Sequence, residues 1–289
     1  MSSMQFIDLK AQYIKYKQSI DDRIHTVLDH GKYIMGPEVE ELEEKLADYV
    51  KAKHCITVAS GTVSLEIALR ALEIGPGDEV ITVPFTWIST AEVILAVGAK
   101  PIFVDIEINS FNMNPDLLEA AINEKTKAII PVSLFGQMPE IERIEKIASK
   151  YKLPVIEDAA QSFGATRFEK KSCAASLIGS TSFFPAKVFG CYGDGGALFT
   201  NDDDLASLFR SIRVHGRGVN KYENVRLGVT GRLDELQAAV LIPKLSIFPD
   251  ELKSRQRVAA SYQRLISSSN LDVITPKVPD GYLSSWAQY

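Results

Sequence analysis

Lys187 lies in a run, Thr181 to Asp202, that reads Thr-Ser-Phe-Phe-Pro-Ala-Lys-Val-Phe-Gly-Cys-Tyr-Gly-Asp-Gly-Gly-Ala-Leu-Phe-Thr-Asn-Asp. Phe183, Phe184, Val188 and Phe189 replace the polar company that a surface lysine keeps. Partial desolvation disfavours the ammonium form, and an amine with a lowered pKa is a nucleophile toward carbonyl carbon. The chemistry to expect is a Schiff base, with pyridoxal 5'-phosphate the usual partner where a carbanion must be stabilised. A lysine stem lying over aromatic rings as packing is the plainer alternative.

Upstream, Leu153-Pro-Val-Ile-Glu-Asp-Ala-Ala-Gln-Ser-Phe-Gly164 reads as a short apolar strand ending in two carboxylates. Asp158 therefore falls at the carboxyl end of a strand, where open parallel sheets gather ligands, and there a carboxylate can pair with a pyridinium nitrogen. Gln161 is within reach of a ring hydroxyl on the same group. The competing reading is a strand-end acid that caps the next turn.

Between His54 and Leu72 a β-rich run passes through Ser60-Gly61-Thr62 into a helical pattern. Unpaired N–H groups and the positive dipole end make a helix N-terminus a phosphate site, and Gly61 lets the backbone come close. A plain N-cap at Ser60 or Thr62 explains the same residues. Further on, Asp78 to Glu92 is a strand followed by Pro84 and the pair Phe85 and Trp87, and Trp87 can either stack on a flat ring or pack into the core.

Taken in order, Ser-Gly-Thr, Phe-Thr-Trp, Glu-Asp-Ala-Ala-Gln-Ser, Ser-Phe-Phe-Pro-Ala-Lys and Gly-Asp-Gly-Gly resemble the DegT/StrS family of pyridoxal-phosphate sugar aminotransferases. The likeness runs from Phe6 to the last residue. Within the family, Gly31 to Val39 onward and Arg167 to Gly196 look most like aminotransferases acting on UDP-2-acetamido-2-deoxy-3-oxo-glucuronate for surface polysaccharide such as O-antigen. The resemblance implies an α/β fold of type I, a mainly parallel sheet covered by helices on both faces. It implies that Lys187 carries the cofactor as a Schiff base, Asp158 pairs with the pyridinium nitrogen and Gln161 contacts the ring hydroxyl. Trp87 would stack on the ring, while Gly61, Thr62 and Ser182 would hold the phosphate. Where relatives reach the neighbouring subunit's phosphate with an Asn, this chain has Thr230, a shorter donor, in Gly228-Val-Thr-Gly-Arg-Leu-Asp234. A homodimer, a nucleotide-sugar substrate and a glutamate donor complete what the resemblance implies.

The chain's 289 residues suffice for one large core and part of a second. Cys55, Cys173 and Cys191 form neither a disulfide framework nor a metal spacing and suit a reducing cytosol. Four scattered histidines, His25, His30, His54 and His215, lead to no expected protein-bound metal. A formal charge of -5 with interspersed signs does not point to nucleic acid. An N-terminus without a basic start and apolar run, and no long apolar stretch, argue for a cytoplasmic protein away from membranes. Gly75-Pro-Gly-Asp78 precedes a strand and reads as a turn, not a dinucleotide loop.

Helical periodicity covers residues 12 to 29 and 37 to 50. Strand-like runs at 55–58, 79–83, 101–105, 128–134 and 154–157 then alternate with helical segments near 62–73, 89–97, 115–123 and 139–151. Such alternation marks a mainly parallel sheet. Two further strands, 179–184 and 196–200, flank the lysine loop. A helix from about Arg232 to Ile242, broken near Pro243 and resuming after Pro249 to about Ser267, leads to a second domain. The expected organisation is a large cofactor-binding domain over 1–245 and the start of a small, truncated one over 246–289. In the family pattern a related sugar dehydratase has histidine in place of the lysine, which Lys187 argues against. A non-catalytic protein that binds cofactor or nucleotide-sugar is the rival of a different class.

Overall fold

The computed structural model describes residues 7–220 and 222–289; Phe6, where the resemblance begins, lies outside them. Among the described residues the α-helices are α1 Leu9–His30, α2 Pro37–Val50, α3 Gly61–Ala71, α4 Ser89–Ala96, α5 Pro115–Ala121, α6 Ile141–Lys150, α7 Asp203–Ile212 and α8 Glu235–Ser267. Among them run strands β1 His54–Val58, β2 Glu79–Thr82, β3 Lys100–Phe103, β4 Thr126–Ile129, β5 Ile156–Asp158, β6 Thr166–Arg167, β7 Lys170–Lys171, β8 Ile178–Ser182, β9 Gly196–Thr200 and β10 Tyr282–Leu283.

The principal strands form two sheets, β3-β2-β4 and β1-β9-β8-β5. Parallel bridges Ile129 to Val155 and Val132 to Asp158 join β4 to β5, giving one continuous surface in the order β3-β2-β4-β5-β8-β9-β1. All its pairings are parallel except those of β9, which runs antiparallel to both β8 and β1. Parallel neighbours need long crossovers, and helices supply them. One direction follows for β1, β2, β5 and β8, so their carboxyl ends share one edge. Residues 183–195, which carry Lys187, leave the sheet at that edge.

Strand alternation divides the core into layers. Ile56, Val58 and Leu198 pack with Leu65, Ile67 and Leu69 of α3, Val93 and Ile94 of α4, and Phe209 of α7. Cys55, Ala197 and Phe199 face the other way, toward Leu42 and Leu46 of α2 and Phe248 of α8. In that second layer Phe163 stacks on Phe189 at 5.0 Å and meets Phe183 edge-on at 6.3 Å, which anchors both ends of the lysine loop's apolar side. A third cluster seats α5 and α6 against β2 and β4 through Ile81, Ile129, Leu118, Ile141 and Ile144.

Two expectations are corrected. The run 128–134 is a strand only to Ile129, after which Leu134–Gly136 forms a 3-10 turn with Phe135 at φ 57°. The break near Pro243 does not occur: α8 is one helix with Pro243 and Pro249 inside it. Each proline forfeits one N–H bond, but Leu241, Ile242, Phe248 and Leu252 are buried along the same stretch and that packing outweighs the loss. The Gly75 to Asp78 turn is present, closed by Asp78 N–H to Gly75 O at 3.1 Å. Among the described residues no helix is long and apolar enough to cross a membrane.

Candidate active site

β5 delivers Asp158 to the shared edge with its side chain almost wholly buried, 6% exposed. Thr90, in the first turn of α4, donates its hydroxyl to Asp158 Oδ2 at 2.8 Å, and Ala160 N–H donates to Oδ1 at 3.2 Å. Burial raises the Asp158 pKa above the usual carboxylate value; the Thr90 and Ala160 hydrogen bonds and the Lys187 charge pull it back.

Lys187 is half-buried in the loop that follows β8, with its N–H bonded to Phe184 O at 2.9 Å. No acceptor among the described residues lies within hydrogen-bonding range of its amine. Burial lowers its pKa, and the Asp158 charge opposes that shift. Each group thus feels the other, but they make no ion pair. Val188 and Phe189 are buried as expected, while Phe184 is exposed. Lys244 of α8 donates to Gly190 O and ties down the far side of the loop.

At the carboxyl end of β1, Ser60 caps α3 by accepting from Val63 N–H at 3.1 Å. The N–H groups of Gly61 and Thr62 take no partner among the described residues, as befits the open end of a helix. Ser182, the last residue of β8, crowds this point so closely that a Cβ on Gly61 would stand 2.7 Å from Ser182 Cβ. Gly61, Thr62 and Ser182 therefore form one concave corner. The Thr62 hydroxyl pairs with Ser89 Oγ at 2.8 Å, which links the first turns of α3 and α4.

Trp87 precedes α4 with its side chain 70% exposed, so it is not a core residue. Thr90 N–H bonds to Trp87 O, which fixes the turn carrying the indole beside the Asp158 pocket. Gln161 uses its Oε1 to accept from Phe135 N–H at 2.9 Å, which leaves its amide NH2 as the end available to a ligand. Thr230 makes no recorded contact with the Lys187 group: its hydroxyl pairs with His215 at 2.9 Å in an exposed stretch, although Gly231 beside it accepts from Ala59 N–H. The structure brings Gly61, Thr62, Ser182, Trp87, Asp158 and Lys187 to one edge; Gln161 attaches through the Phe135 turn, and Thr230 stands apart.

Ser89 and Thr90, which bond to Thr62 and Asp158, are members of this cluster that sequence reasoning passed over. Their signal is two adjacent hydroxyls at a helix start directly after Phe-Thr-Trp. Glu157, the other half of the strand-end pair, accepts from Ser133 Oγ at 2.6 Å, Ser172 Oγ at 2.9 Å and Cys173 N–H at 2.9 Å. It is an internal tie and takes no part in the cluster.

A half-buried amine, a buried carboxylate near enough to feel its charge and an open helix N-terminus beside a glycine fit an aromatic phosphate ester with a ring nitrogen. Residues 15–289 match the profile of the DegT/DnrJ/EryC1/StrS aminotransferase family. The chain is 54% identical over 286 residues to the UDP-2-acetamido-2-deoxy-3-oxo-D-glucuronate aminotransferase of Pseudomonas aeruginosa, covering 99% of this chain and 79% of that protein. A DegT DnrJ EryC1 StrS aminotransferase from Brucella abortus superposes with a TM-score of 0.96 at 46% identity, covering 99% of this chain and 78% of that one. NtdA from Bacillus subtilis, solved with bound cofactor PMP, gives 0.84 at 33% identity, covering 94% of this chain and 62% of that one. The chain thus belongs to the DegT/DnrJ/EryC1/StrS aminotransferase family.

Proposed function

We propose that the chain is a pyridoxal 5'-phosphate-dependent nucleotide-sugar aminotransferase that moves an amino group from glutamate to the keto group of UDP-2-acetamido-2-deoxy-3-oxo-glucuronate, in the cytoplasm, for polysaccharide biosynthesis. The observation that carries the reading is the Lys187 amine facing Asp158 without pairing to it. Identity to the Pseudomonas aeruginosa protein along nearly the whole chain supports the choice of substrate.

The residues present fit the cofactor. Gly61 and Thr62 offer two N–H groups to a phosphate and Ser182 adds a hydroxyl, in the corner that any side chain at position 61 would fill. With the cofactor bound, the Asp158 carboxylate would hold a proton on the ring nitrogen, the Gln161 amide would donate to the ring hydroxyl, and Trp87 would stack on the ring. When bound, the cofactor supplies an electron sink for the pair released as a C–H bond breaks. Lys187 would be the base that takes this proton from the donor's α carbon and, in the second half-reaction, delivers a proton to the sugar carbon that receives the amino group. Burial suits it to that work, because a lowered pKa raises the neutral fraction of the amine at any given pH.

The same reading takes a homodimer as the working unit, with Thr230 and His215 directed at a second copy. Val219, 99% exposed, and Leu227, 83% exposed, lie in the stretch between them and support an interface there. It also takes residues 1–245 as the cofactor-binding unit and 246–289 as a smaller one.

Borohydride reduction after loading with pyridoxal phosphate, followed by peptide mapping, tests the reading. A label on Lys187 together with glutamate-dependent release of 2-oxoglutarate is the expected result. A label on another lysine would overturn it, and a label without 2-oxoglutarate would favour a binding protein.

A further inference from the structure

We infer that Thr90 is a positioning residue for Asp158, its hydroxyl fixing the rotation of the carboxylate. The inference rests on the reading of Asp158 as the partner of the cofactor's ring nitrogen.

Thr90 is fully buried, so water does not compete for its hydroxyl. That hydroxyl has three polar neighbours: Asp158 Oδ2 at 2.8 Å, Thr86 Oγ1 at 3.1 Å and Trp87 O at 3.3 Å. It has one proton to give, and the nearest, charged acceptor takes it. Thr86 is then free to donate to Thr90 Oγ1, so the two threonines form a short relay that ends on the carboxylate, each bond polarising the next. On the other oxygen, Oδ1, the donor is the backbone N–H of Ala160. The two oxygens are thus held from different elements, one from α4 and one from the chain just after β5. Rotation about the Cβ–Cγ bond breaks at least one of these contacts.

The same helical turn is anchored elsewhere. Ser89 bonds to Thr62 at 2.8 Å, so consecutive residues of α4 touch the phosphate corner and the ring acid. The first turn of α4 thereby sets the spacing between the two ends of the cofactor site. Valine has the shape of threonine but can neither donate to Asp158 nor accept from Thr86, so the hydroxyl can be removed with little change of volume.

Reconstitution with pyridoxal phosphate carrying 15N in the ring tests this, read alongside kcat, KM for glutamate and thermal melting. Thr90→Val is expected to move the ring-nitrogen resonance away from the pyridinium position and to lower kcat by roughly tenfold or more, with KM within about threefold. Thr90→Ser is expected to restore both. If the valine protein fails to fold, Thr90→Ala carries the same comparison. A folded Thr90 variant without the hydroxyl that keeps the wild-type resonance and kcat overturns the inference, as does failure of serine to restore them. Wild-type protein that takes up no pyridoxal phosphate overturns the site reading itself, an outcome distinct from a loaded wild type and an unaffected variant.

Discussion

Glu157 and Asp158 are adjacent on β5, yet their carboxylates go to opposite faces of the sheet and meet separate sets of donors. Glu157 is closed off by Ser133, Ser172 and Cys173, whereas Asp158 takes Thr90 and Ala160 and lies near enough to Lys187 for each to feel the other's charge. Strand alternation sends one to an internal tie and the other to the first turn of α4.

Replacing Asp158 with Asn is accordingly expected to lower turnover by roughly a hundredfold or more while the cofactor stays bound through the α3 corner and Trp87. Steady-state kinetics beside absorbance of the loaded protein checks it. Near-normal rates would reduce Asp158 to a cap.

Glu157→Leu should act on stability. Leucine cannot accept from Cys173 N–H, Ser133 Oγ or Ser172 Oγ, so buried donors lose their acceptor, at a cost of about 1–3 kcal/mol. The melting temperature is expected to fall by several degrees in cofactor-free and loaded protein alike.

For Lys187 the sign is set by burial. Its pKa is lowered from 10.5, so between the lowered value and 10.5 the unfolded chain binds more protons there, and stability rises with pH across that window. Below the window the burial penalty is present in full. Lys187→Met in cofactor-free protein should therefore melt higher than wild type at pH 7, and the gap should narrow as the pH approaches 10. Parallel melting curves over pH 7 to 10 measure it; a gap that widens would contradict the buried-amine assignment.

Gly61→Ala sets a Cβ 2.7 Å from Ser182 Cβ, and the corner must open. Pyridoxal phosphate affinity is expected to drop by about tenfold or more, a loss of about 1.4 kcal/mol, in an absorbance titration. Fold content should be unchanged.

Local pattern made much of this architecture legible. The expected helix over 37–50 coincides with α2, whose proline start and apolar spacing lie within one segment. β1, β2, β8 and β9 lie within a residue or two of their expected bounds, because each is a short apolar run between turn residues. The settings of Lys187, Asp158 and Gly61, a half-buried loop, a strand end and a helix start, were legible because their neighbours in the chain are also their neighbours in space. What escaped depends on distant partners. Thr90 meets Asp158 across 68 positions, and Phe135 orients Gln161 across 26. The continuity of α8 through two prolines is decided by α2 and the aromatic layer, which no window around Pro243 contains. The antiparallel sense of β9 follows from the return of the lysine loop and has no local mark.

One unbroken α8 also gives the cleft a common mounting. Lys244 bears on the lysine loop through Gly190 O. About 16 Å farther along the axis, at the rise of an α-helix, Arg255 and Gln256 grip Trp286 O and Ser284 O. Ser285 and Ala287 then clamp the turn at Gly136 and Phe135, where a Cβ on Gly136 would stand 2.6 Å from Trp286 N, and that turn holds Gln161. The wall with the amine and the wall with the amide hang from a single rod, so the breadth of the cleft is gauged by a helix whose length hardly changes. Both walls keep their spacing for as long as α8 stays wound, and they lose it together when it unwinds.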